Sequence, residues 1–215
     1  MNTSFLTFNR KYIFAMLLVM GAIASCKQKS FPKHGDLLFV GTSGSDLGNA
    51  ITEVTENDKA KNYSHIAMVF EIGDSLFVND ATPKYGVSVR PIGQFIKEES
   101  TTENTIDVFR TLLSKEQIDA AMSKISPYIG RPYNHAYLLT DTAFYCSQLI
   151  YKAFAAYSVF EMEPMTFKKD GETLDFWKEY YEELNVAIPE GVPGCNPNGM
   201  AADDDIKFIG KMDQL

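Results

Sequence analysis

Residues 143–154 read AFYCSQLIYKAF. Leu149, Ile150, Ala153 and Phe154 recur at helical spacing, so the stretch predicts an amphipathic helix opening at or near Cys146. A cysteine in that place is open to three readings. It is a small buried hydrophobe, one half of a disulfide with Cys195, or a nucleophile whose thiolate is favoured by the unsatisfied N–H groups and positive dipole end of the helix. The same N–H groups can hold a developing oxyanion.

A thiol nucleophile needs a base and an orienting group. Upstream, YSHIAMVFEI (63–72) alternates as a strand, with His65, Ala67 and Val69 on one face and Ile66, Met68 and Phe70 on the other. A turn at Gly73-Asp74 leads into a second strand over Leu76 to Asp80. If that turn is a two-residue hairpin loop, Ala67 faces Asp80, and His65 is the diagonal neighbour of Asp80 on the same face. His34 falls in a polar linker and His135 in a polar loop, where surface histidine is the expectation. No His or Cys pair has metal-ligand spacing and no glycine loop suits a phosphate, so neither metal nor cofactor is expected.

Further elements follow from the same rules. Asp36 to Val40, bounded by Gly35 and Gly41, reads as a buried strand, and Ser45 as the N-cap of a helix to Thr55. Tyr85 to Arg90 supplies a strand of an antiparallel meander, and Thr105 to Arg110 is expected to be the last central strand. Ser114-x-x-Gln117 opens a helix to about Tyr128, ended by Gly130. A helix over Leu174 to Leu184 carries Trp177, the single tryptophan. PEGVPGCNPNGM (189–200), dense in Pro, Gly and Asn, is expected to wrap the surface as a loop. Strands followed by helices give an α+β domain.

The N-terminus has a different character. Arg10-Lys11 precede the apolar run of residues 12–25, too short to span a bilayer comfortably, and Ile23-Ala24-Ser25-Cys26 resembles a bacterial lipobox. Residues 1–26 are therefore expected to be a lipoprotein signal peptide, Cys26 the lipidated mature N-terminus, 27–34 a linker and 35–215 the folded domain. That implies a bacterial envelope protein, membrane-anchored outside the cytoplasm. The chain of 215 residues is 45% hydrophobic, enough for one sizeable core, with a formal charge of −8. Removing residues 1–26 takes away Arg10 and Lys11, which makes it more acidic still. Nucleic acid is a poor partner for such a surface.

GDLLF (35–39), YSHIAMVF (63–70), FVNDA (77–81), GRPYN (130–134), FYCSQLIYKAF (144–154) and PGCNP (193–197) together resemble the permuted papain-like cysteine hydrolases related to NlpC-type cell-wall peptidases, the YiiX/YebB-like branch. The likeness covers nearly all of 35–215, with histidine upstream of cysteine, the reverse of the unpermuted enzymes. It implies a circularly permuted papain-like fold, Cys146 as nucleophile, His65 as base, Asp80 where relatives usually carry Glu or another polar group, and Tyr133 at the oxyanion site or pocket. The implied activity is amide or peptide hydrolysis on small, cell-wall-derived peptides. The rival readings are acyl transfer or lipolysis on lipid acyl groups at the same Cys-His centre, and a silent binding module. Acyl-transferring relatives tend to carry a second histidine in place of the acid, so Asp80 favours the amidase.

Overall fold

The computed structural model describes residues 32–42, 44–60, 62–100 and 104–212. The expected signal peptide and Cys26 lie outside them. Five strands come first: β1 (Asp36–Gly41), β2 (Tyr63–Ile72), β3 (Ser75–Thr82), β4 (Gly86–Pro91) and β5 (Ile106–Thr111), with β6 (Ile206–Lys211) near the C-terminus. They form one antiparallel sheet in the order β6-β5-β1-β2-β3-β4. β1, apolar from Leu37 to Val40, is buried along its length and lies inside the sheet, where both faces need cover.

The helices are α1 (Asp46–Thr55), α2 (Ile92–Glu99), α3 (Lys115–Ile125), α4 (Cys146–Phe154), α5 (Asp175–Leu184) and the short α6 (Pro197–Ala201). Ser45 caps α1, accepting the Gly48 N–H at 3.1 Å. Ser114 and Gln117 cap α3 reciprocally, and a 3₁₀ turn, Ser126–Tyr128, carries the chain to Gly130. α4 packs on β2 and β3. Its Leu149, Ile150 and Phe154 share one core with Leu37, Phe39, Ile66 and Met68. Burying these seven helix and strand side chains contributes roughly 10–21 kcal/mol before entropy is charged against it. No helix among the described residues is long and apolar enough to cross a membrane.

Three expectations need correction. β5 is not the last central strand, because β6 returns from the C-terminus and pairs along its outer edge. α2 was not foreseen. It follows Pro91 directly and buries only Phe95, too little apolar periodicity to read from the sequence. Residues 189–200 do not form a surface loop. Pro193–Gly194 pairs with Glu163–Pro164, and Cys195, Pro197, Asn198 and Met200 are buried. Asn198 ties this segment down, accepting the Tyr63 N–H at 2.9 Å and donating to Thr55 Oγ1 at 2.9 Å. A Cβ on Gly194 would stand 2.4 Å from the Met165 sulfur. Its small residues serve close packing rather than exposure.

His34 is also better fixed than a linker residue. Its Nε2 lies 2.8 Å from Asp119 Oδ1 while Nδ1 accepts the Glu71 N–H at 3.1 Å.

Candidate active site

β2 and β3 are joined by the two-residue loop Gly73-Asp74, with Ile72 opposite Ser75 and Met68 opposite Asn79. Gly73 has φ +60, as such a turn requires. That register places His65 and Asp80 on one face, and His65 Nε2 lies 2.9 Å from Asp80 Oδ2. The carboxylate is fully buried and the imidazole nearly so.

Cys146 is the first residue of α4, after Tyr145 at the N-cap. Gln148 fixes this entry, accepting the Tyr145 N–H at 3.4 Å and donating to the Thr140 carbonyl at 2.8 Å. The thiol is buried and free, as is that of Cys195. Burial opposes a charge on His65, but hydrogen bonds with Asp80 and with Cys146, reinforced by their charges, outweigh it and hold the imidazole well above its ordinary pKa. The structure thus brings His65, Asp80 and Cys146 together from a hairpin and a helix start.

Tyr133 arrives on a separate segment. Its residue pairs with Phe144 in an isolated parallel bridge, with Asn134 N–H donating to the Phe144 carbonyl at 3.1 Å and Phe144 N–H to the Pro132 carbonyl at 3.1 Å. The same segment is pinned to β4, where Val87 N–H donates to the Arg131 carbonyl at 2.8 Å. Burial first, and then the charge of Cys146, push the Tyr133 phenol far up, so it remains an O–H donor beside the sulfur. His135 stays exposed, near the Tyr180 hydroxyl.

Sequence reasoning missed two partners of Asp80. Arg90 donates to Asp80 Oδ2 from β4 and also ion-pairs with Glu98 of α2. Ser88 Oγ lies 3.3 Å from Asp80 Oδ1. Ser88 sits opposite Asp80 and Arg90 opposite Val78, so all three polar residues share the face of His65. The signal was present in GVSVRP, where Ser88 and Arg90 alternate with valines.

Ser147 Oγ donates to the Cys195 carbonyl at 2.9 Å and Cys195 N–H to the Tyr145 hydroxyl at 3.4 Å, clamping PGCNP onto the start of α4. Burial pushes the Cys195 thiol up to about 12, so it stays protonated at neutral pH. Cys146, Cys195 and Tyr133 line a cavity of about 230 Å³, walled largely by aromatic and aliphatic side chains.

A family described as permuted papain-like amidase enzyme, YaeF/YiiX, C92 family, matches residues 32–210. The chain is 27% identical over 146 residues to the uncharacterized protein YiiX of Escherichia coli (strain K12), a match spanning 68% of this chain and 66% of that protein, just under two thirds of its length. The crystal structure of metalloprotein yiiX from Escherichia coli O157:H7 superposes with a TM-score of 0.69, at 23% identity, over 84% of this chain and 97% of that one, a likeness of fold. The donor set here does not fit a metal centre. Among the described residues no three His, Cys, Asp or Glu side chains group for one, and Asp80 is already engaged by His65, Arg90 and Ser88. Fold, order of motifs and family match agree, and the chain belongs to the permuted papain-like amidases of the YaeF/YiiX, C92 family.

Proposed function

We propose that the protein is a thiol amidase acting on amide or peptide bonds of small, cell-wall-derived peptides. Membership of an amidase family supports hydrolysis of amides at the level of reaction class. The observation that carries the assignment of roles is the His65–Asp80 contact of 2.9 Å, with Cys146 at the start of α4 as the other group that acts on the imidazole. With Nε2 committed to Asp80, Nδ1 is the nitrogen left for the thiol. His65 takes the Cys146 proton and the sulfur attacks the carbonyl carbon. The resulting oxyanion is met by N–H groups at the start of α4 and by the Tyr133 hydroxyl. The imidazolium then protonates the leaving amine, and a water deprotonated by His65 cleaves the thioester, releasing the acid and restoring the thiol. Asp80 orients the imidazole and offsets its charge throughout.

The reading includes an anchor: Cys26 carries lipid and holds the domain at the cell envelope, outside the cytoplasm. It is supported by the basic, apolar and lipobox segments of the leader.

The test is mass spectrometry of the full chain in detergent after treatment with iodoacetamide, then turnover of defined wall peptides and of phospholipids. Labelling at Cys146, with peptide amide release abolished in Cys146→Ala and His65→Ala, is expected. Release of fatty acid without amide cleavage would move the assignment to lipid acyl chemistry. In parallel, Cys26→Ser is expected to shift the protein from the membrane to the soluble fraction, and unchanged fractionation would remove the lipid anchor.

A further inference from the structure

Helix α2 packs on β3 and β4 yet buries a single side chain, Phe95, so apolar burial explains little of its place. Phe95 and Glu98 stand one helical turn apart, on one face. Both meet Arg90. The guanidinium carbon lies 5.4 Å from the Phe95 ring centroid and 4.9 Å from that of Tyr85, so two rings hold the group by their faces. Its ends are divided. One nitrogen donates to Asp80 and the other to Glu98, while Nε has no partner. Arg90 is thus shared between an inner carboxylate with no exposure and an outer one that is 28% exposed.

Protonated His65, Asp80, Arg90 and Glu98 therefore form a line of alternating charge. Asp80 and Cys146 act on the imidazole, and the Phe95 ring lies 6.3 Å from it. Ser88 joins at Asp80. At the outer end Glu98 accepts from the Tyr85 hydroxyl at 2.8 Å and from Gln94 at 3.1 Å, with Lys84 at 3.7 Å. The bonds from Gln94 and then Tyr85 hold the Glu98 carboxyl far below its ordinary range, so it is charged at neutral pH. Arg90 repels a proton on His65, and the single charge of Asp80 cannot cancel both cations. An anion on the far side of Arg90 offsets that repulsion, which water screens poorly across a buried guanidinium.

Resting on the reading of His65 as the base, we propose that Glu98 is a positioning residue that sets how tightly His65 holds its proton, acting through Arg90 and Asp80. It lies two ion pairs from the imidazole. Its charge favours the imidazolium that forms when Cys146 gives up its proton, and the basic limb of turnover follows it.

The chain has three histidines, so isotopically labelled histidine gives a spectrum in which His65 is assigned by its loss in His65→Gln. The full chain carrying Cys146→Ala, which removes the sulfur's own effect on the ring, is titrated by NMR in detergent. Glu98→Gln is expected to lower the His65 midpoint by about half a pH unit, roughly a threefold loss of proton affinity. Glu98→Asp is expected to restore it. Tyr85→Phe removes a bond to Glu98 but no charge, so it is expected to lower the unfolding temperature and leave the midpoint unchanged. A strut that merely fastens α2 would give another pattern, with Glu98→Gln and Tyr85→Phe lowering stability alike and the midpoint unmoved. That pattern, or an upward shift in Glu98→Gln, overturns the proposal. Treating the chain with intact Cys146 with iodoacetamide separates the two readings. Labelling at Cys146 without a midpoint shift sinks the coupling alone, and a shift without labelling leaves the coupling and sinks the role of His65 as base.

Discussion

Arg90 is ion-paired to Asp80 through Oδ2, the same oxygen that receives His65 Nε2. The carboxylate has no solvent exposure, so its charge is balanced only by protein groups, and the guanidinium spans it and Glu98. The imidazole therefore rests on a carboxylate that is itself held in place, which fixes the ring more firmly than a free side chain would.

Breaking a buried pair from one side leaves the other charge unpaired, at about 3–5 kcal/mol. Arg90→Met is therefore expected to lower the thermal unfolding midpoint by roughly 6–20 °C, taking about 2–4 °C per kcal/mol for a domain of this size. Arg90→Lys, which keeps charge but loses the fork, is expected to lose less. A Met variant that unfolds at the wild-type temperature would show that the pair contributes nothing.

At Asp80, activity is expected to fall in the order wild type, Asp80→Glu, Asp80→Asn, Asp80→Ala. An amide can hold the imidazole but cannot offset its charge, and it also deserts Arg90. In the Ser-His-Asp triad, loss of the orienting carboxylate costs about 10⁴-fold in turnover, so even a small part of that is measurable in kcat. Wild-type turnover in Asp80→Ala, with Cys146→Ala and His65→Ala inactive, would reassign Asp80 to structure alone.

His65 makes stability depend on pH. Burial disfavours its charge, yet the bonds to Asp80 and Cys146 raise its pKa well above the ordinary value. The native state thus holds a proton that the unfolded chain releases near about pH 6.5. Its stabilising contribution is complete below that pH and is lost as pH rises toward the folded value. Denaturant midpoints measured from pH 6 to 9 are expected to fall more steeply for wild type than for His65→Gln, and parallel curves would contradict the shift.

Gly86 offers a route to Tyr133 that leaves the thiol untouched. It has φ +64, and a Cβ there would stand 2.3 Å from the Arg131 carbonyl oxygen. Gly86→Ala is expected to cost about 1–3 kcal/mol and, by pushing Arg131 away, to displace Tyr133 two residues on and cut kcat at least tenfold. Gly73→Ala is the control: φ is +60 but nothing lies within 4 Å, so activity is expected to stay unchanged. Equal activity in both variants would separate Tyr133 from catalysis.

The His65–Asp80 relation was legible because strand alternation and a two-residue turn decide side by parity, and Cys146 because helix starts have sequence signals. Arg90 was legible in principle, yet reading it required the register of a second hairpin. Ile92–Glu99 buries a single phenylalanine, which periodicity cannot detect. The burial of Cys195 and Asn198 depends on partners from Tyr63, Thr55, Tyr145 and Ser147, far along the chain, whereas local composition suggested solvent. β6 was hidden because Gly210 breaks its alternation, with a register irregularity between Phe208 and Gly210.

The adjacency of β2, β3 and β4 has a temporal side. His65, Asp80, Ser88 and Arg90 lie on three consecutive strands joined by short turns, while Cys146 joins from a later helix. Hairpin pairings of low sequence separation form early, and chains emerge N-terminus first. A partly emerged chain can therefore assemble the His65, Asp80 and Arg90 cluster before Cys146 has joined it. On the proposed reading, the permuted order delivers the nucleophile after its base and counter-charges, when five of the six sheet strands have already emerged.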